Sequence, residues 1–97
     1  MPKVRLSRRA DRDLEAILRR GLKEYAPATA VRYYNRILSG FAAIAERPRA
    51  AQEHPEYAAG IRFHFEGSHR IVYRIDAKGV IVIVRVLHAR QETKRHI

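Results

Sequence analysis

The sequence predicts an α+β domain in the order β-α-α-β-β-β, with a helical hairpin packed on one face of a small, mostly antiparallel sheet. Three observations carry that expectation. Apolar residues recur at three- and four-residue steps over two long segments of the first half, which is the period of an amphipathic helix. In the second half the period falls to two, with β-branched and aromatic residues dominating, as in strands. Proline and glycine positions separate the segments, and two helices followed by a run of strands form two layers.

Each element has its own warrant. Lys3 to Leu6 alternates charged and apolar residues and reads as a short strand. Ser7 then offers an N-cap, and Asp11 and Asp13 put negative charge near the start of a helix expected from Arg8 to Glu24. Its apolar stripe is Ala10, Leu14, Ile17, Leu18 and Leu22, and its other face carries Arg9, Arg12, Arg19, Arg20 and Lys23. Pro27 suits the first turn of a second helix, because the N–H it lacks would be unpaired there. Val31, Tyr34, Ile37, Leu38, Phe41 and Ile44 keep the helical period until Pro48 stops it. The short link around Tyr25 to Pro27 makes the pair antiparallel.

Between Glu46 and Gly60 the period fails, and a loop is expected. Ile61, Phe63 and Phe65 alternate with Arg62, His64 and Glu66 as in a half-buried strand. Gly67-Ser68 turns the chain into a strand from His69 to Asp76, and Ala77-Lys78-Gly79 turns it again. Val80 to Leu87 is apolar except for Arg85, which marks a strand covered on both faces and therefore interior to the sheet. "HARQETKRHI" loses the pattern and reads as a charged tail from about residue 88 to 97 of a single domain spanning residues 1–97.

Composition narrows the function classes. With no cysteine there is neither a disulfide framework nor a thiolate metal site. The five histidines lack metal-binding spacing, and the single, scattered glycines make no phosphate loop, so neither metal nor cofactor is expected. No apolar run approaches a membrane span, which leads to the expectation of a cytoplasmic protein without membrane contact. The net charge of +10 is mostly arginine, whose planar fork suits carboxylate and phosphate alike. Without a recognition-helix motif, and with the charge spread along the chain, direct nucleic-acid binding by the chain alone is not expected.

Two clusters remain open on residue types alone. His69, Arg70, Tyr73, Arg74, Arg85 and His88 would supply the base, acid and cations of metal-free RNA cleavage, or else form a core tyrosine, a turn histidine and a solvated rim. Tyr25, Tyr33 and Tyr34 beside Arg32 and Arg36 would stack on bases or line a groove for a partner peptide. Tyr34 is on the apolar phase and Tyr33 off it.

The segments "VRLSRRADRDLEAI", "AIAERP", "GIRFHFEGSHRIVYRI" and "IVRVLHAR", in this order and spacing, resemble the ParE branch of the RelE/ParE toxin superfamily over essentially the whole chain. The resemblance implies a type II toxin whose partner is a ParD-like antitoxin with an acidic, flexible segment. It also implies a toxin that inhibits DNA gyrase by protein contact and is not itself an enzyme. The expected toxic contact is Arg85, His88, Arg90, Lys94 and Arg95. The expected antitoxin surface is Leu18, Leu22, Arg32, Tyr33 and Arg62. In the alternative, a RelE-like ribosome-dependent endoribonuclease, Arg70 in "HRIVY" and His88 match catalytic positions, but Ala89 stands where those nucleases place an aromatic.

Overall fold

The computed structural model describes residues 2–97. Its elements are β1 (Val4–Leu6), α1 (Arg8–Glu24), α2 (Pro27–Glu46), β2 (Arg62–Glu66), β3 (His69–Ile75), β4 (Ile81–His88) and the short α3 (Thr93–His96). The sheet order is β1-β4-β3-β2, with β1 parallel to β4 and the other pairs antiparallel. This is the expected layering, and β4 is interior, as its apolar run required.

Ser7 joins the two layers. Its Oγ accepts from the Ala10 N–H at 3.0 Å, capping α1, and donates to the Val84 carbonyl at 2.7 Å. Its N–H continues the parallel ladder to the Ile83 carbonyl. α1 and α2 bury Ala10, Leu14, Ile37, Phe41 and Ile44 against Ile71, Tyr73, Ile81, Ile83 and Val86 on one sheet face. On the outer face Ile61, Val72 and Leu87 form a second cluster, covered by Tyr57, Ala58 and Ile97.

A β-bulge explains how β4 serves both faces. Tyr73 lies opposite Ile83, but Val72 lies opposite Arg85, so Val84 is an extra residue. One extra residue reverses the facing of everything beyond it. Ile81 and Ile83 therefore point to the helices, as do Val86 and His88, while Leu87 turns outward.

Two expectations need correction. Val31 and Leu38 are exposed, and α2 instead buries Ala30 and Gly40 beside Ile37 and Phe41. The helix meets the sheet so closely at Gly40 that a Cβ there would stand 2.8 Å from Ile71 Cδ1. The tail is charged but not loose: Thr93 is buried and Ile97 packs on the outer cluster. Of the two readings left open for Tyr73, the structure has the core one, its hydroxyl donating to the Pro48 carbonyl at 2.8 Å.

A groove between the hairpin and the histidine rim

The β-strand register sets His69 directly opposite His88. Their rings meet edge to face with centroids 5.3 Å apart. Tyr33 of α2 reaches the same place, its hydroxyl 2.6 Å from His69 Nδ1 and accepting from the Ser68 N–H at 3.0 Å. Burial pushes His69 down to about 4, with neighbouring His88 and Arg20 adding to the effect and Asp13 opposing it. The Tyr33 hydroxyl and His69 Nδ1 share one short hydrogen bond, which leaves the ring's Nε2 facing away from Tyr33. At His88 it is Nδ1 that accepts, from the Arg90 N–H at 3.1 Å, so its Nε2 also points away from the backbone.

These groups border an open groove of about 910 Å³. Ala16, Ile17 and Ala30 of the hairpin and Val86 of β4 give it an apolar lining, while Arg20, Tyr25, Arg90 and Gln91 stand at its polar edges. Donors above an apolar lining suit a polypeptide segment that carries an apolar side chain beside a carboxylate. Among the described residues no group of three metal-ligating side chains occurs, and no helix is long and apolar enough to cross a membrane.

The expected site residues divide sharply by position. Arg85 is not available to a partner: it is 8% exposed, and its Nε and Nη2 each donate to the Asp13 carboxylate at 2.8 Å. Its Nη1 donates to the His96 carbonyl at 2.7 Å. Hydrogen bonding to Asp13 raises its already high pKa. The bulge causes this, turning the side chain off the helix-facing side at the one edge of β4 that β1 leaves unpaired. Asp13 also accepts from the Val86 N–H at 2.9 Å on that edge. Arg90, Lys94 and Arg95 are exposed, and His88 is half-buried at the groove.

Leu22 and Arg32 are exposed and Leu18 is half-buried, but none of them lines the groove. Tyr33 lines it and is half-buried rather than exposed. Arg62 stands apart at the other end of β2, donating to the carbonyls of Arg49 and Ala51 and so tying down the 46–61 loop. Tyr25, one of the tyrosines expected to line a groove, does so, whereas Asp13 and Arg20 had no expected part in it. A signal for the histidine pair did exist, since His69 and His88 are nearly equidistant from the turn at 77–79.

Arg70 and His88 do not meet. Arg70 projects from the outer sheet face, over the rings of Phe63 and Phe65 at 5.6 and 5.9 Å. Its guanidinium donates to Thr93 Oγ1 and to the Ala89 carbonyl. His88 is on the helix-facing side, in the groove.

The sequence pattern of the family described as ParE toxin of type II toxin-antitoxin system, parDE, matches residues 4–93. This chain belongs to the ParE toxin family. Toxin ParE1 of Caulobacter vibrioides is 32% identical over 97 residues, covering all of this chain and 99% of that one. Toxin ParE1 of Mycobacterium tuberculosis is 38% identical over 53 residues, about half of each chain. Among solved structures, the chromosomal ParDE toxin–antitoxin system from P. aeruginosa contains a chain of the same fold. It aligns with a TM-score of 0.78 at 19% identity, over 91% of this chain and 96% of that one. The toxin–antitoxin complex RelBE2 from Mycobacterium tuberculosis aligns with a TM-score of 0.59 at 28% identity, over 90% of each chain. The chain is thus a ParE-family toxin of the type II toxin–antitoxin class.

Proposed function

We propose that this ParE-family toxin is held inactive by a ParD-like antitoxin, whose acidic segment occupies the hairpin groove, and that it acts by binding DNA gyrase without cutting RNA. In this reading Arg90, Lys94 and Arg95, with His88, form the toxic contact. Exposed Leu22, Val31 and Leu38 extend the antitoxin surface beyond the groove.

The observation that carries the reading is the separation of Arg70 from His88 by the sheet. A nuclease using this pair must bring both to one phosphate, one as charge stabiliser and the other as acid or base. Here Arg70 is spent on Thr93, Ala89 and two phenylalanine rings. Ala89 adds no aromatic. A cationic rim beside an apolar groove favours partner capture.

The test is supercoiling of relaxed plasmid by gyrase, titrated with the folded protein, with and without antitoxin. Inhibition that antitoxin reverses is the expected result, and R90Q/K94Q/R95Q should weaken it at least tenfold. Intact gyrase activity together with cleavage of ribosome-bound messenger RNA would replace this reading by the endoribonuclease one.

A further inference from the structure

One face of α1 meets the groove only at Ala16 and Arg20 and is otherwise left unexplained by the groove, the core or the rim. At 100° per residue, Arg8, Arg9, Arg12, Arg19, Arg20 and Lys23 fall on an arc of roughly 120°. The one other residue on that arc is Ala16. All six cations are exposed, and among the described residues only Arg20 makes an ion pair, with Glu24 at 3.4 Å. The acids of α1 lie off the arc: Asp13 is taken by Arg85 and Val86, and Asp11 and Glu15 flank the arc on one side. Charge that looks evenly spread along the chain is therefore concentrated in space.

Within the arc, Arg8, Arg12, Arg19 and Lys23 form a single row about 22 Å long. The row carries no large apolar side chain. A protein segment bound there would have nothing to anchor it beyond surface ion pairs, each worth little in water. The row has no aromatic residue either, so a single strand would find no stacking platform. A rigid row of cations without apolar or aromatic companions matches the phosphates of a duplex, where releasing counterions supplies the binding energy.

We infer that the outer face of α1 is a track for the phosphate backbone of duplex DNA, held without regard to base sequence. Arg20 belongs to the arc and also borders the groove with Arg90, so the track runs into the proposed toxic rim. A toxin docked on an enzyme that works on duplex DNA would thereby hold the DNA as well. The inference does not depend on the gyrase reading, because it is tested on DNA alone.

The test is fluorescence anisotropy of a 30-base-pair duplex of mixed sequence, titrated with the purified protein between 50 and 200 mM salt. Four phosphate contacts give a slope of about −3.6 in log affinity against log salt, or a loss of about 150-fold over that range. Two unrelated duplex sequences should bind alike, and a single strand of equal length more weakly. R8Q/R12Q/R19Q/K23Q, whose helicity is checked by circular dichroism, should lose most of the binding and flatten the slope. R47Q/R49Q/R74Q/K78Q, which removes as many cations off the track, should retain at least half of the affinity. Equal losses in the two variants, or an unchanged affinity in the first, would overturn the proposal. So would a folded wild-type protein that leaves the duplex unbound at 50 mM salt. If the α1 variant then also released the antitoxin, the row would belong to the acidic protein instead.

Discussion

Asp13 shows how one residue can join several elements. Its carboxylate receives both arms of the Arg85 guanidinium and the Val86 N–H, tying α1 to the open edge of β4. Removing one partner of a largely buried pair leaves a charge without compensation. Asp13→Ala should therefore cost about 3 kcal/mol in urea unfolding. The double variant D13A/R85M should cost clearly less than the sum of the single changes. Strict additivity would mean that the pair is not coupled.

His69 makes a prediction of opposite chemistry. The folded ring resists protonation down to about 4, whereas the free imidazole titrates near 6.5. Between those values the unfolded chain binds more protons than the native one. Stability from this group is thus present above about 6.5 and is lost as pH falls toward 4. The melting temperature of the wild type should drop more steeply over that window than that of His69→Gln. Matching slopes would remove His69 from the pH response.

At the scale of elements, contact distance outweighs helix propensity. Gly40→Ala would be favourable in an isolated helix by about 1 kcal/mol. Here the new methyl meets the fully buried Ile71 side chain, and overpacking of this kind costs about 1 to 3 kcal/mol. G40A should lower stability, and I71V in the same chain should restore much of it. A stabilised G40A would show that the two layers separate easily.

The C-terminal segment belongs to this scale too. Arg70 and Arg85 hold its backbone and Thr93, and Ile97 covers the outer cluster. Deleting everything after Ala89 would abolish toxicity while also uncovering the sheet, so substitution of the exposed cations is the sharper test. The element boundaries were legible in the sequence because caps, prolines, glycines and periodicity are local signals. The fate of Val31 and Leu38 was not, because the helical period gives a stripe but not which part of it the sheet reaches.

For the whole molecule, the sheet divides the chemistry. Its helix-facing side carries the groove with Tyr33, His69 and His88, and its outer side carries Arg70, bonded to Thr93 of the C-terminal segment, with Phe63 and the exposed Phe65 beside it. Neither side assembles Arg70 with His88. The expected loss of gyrase inhibition in R90Q/K94Q/R95Q and the loss of duplex binding in the α1 variant concern different surfaces. Measuring both variants in both assays separates the rim from the track.

The sequence by itself determined the order of elements, the two layers, the interior place of β4 and the family, because these follow from patterning that repeats along the chain. Tertiary structure decided which residues face which way. The extra residue Val84 in β4 sends His88 to the helices, Leu87 to the outer cluster and Arg85 to Asp13. Strand register is a property of two strands side by side, and alternation read on one strand cannot reveal a residue that the other strand skips. The cationic face of α1 lies on the other side of that divide: the helical period alone gathers Arg9, Arg12, Arg19, Arg20 and Lys23, and the structure adds that they are exposed and that only Arg20 among them is ion-paired.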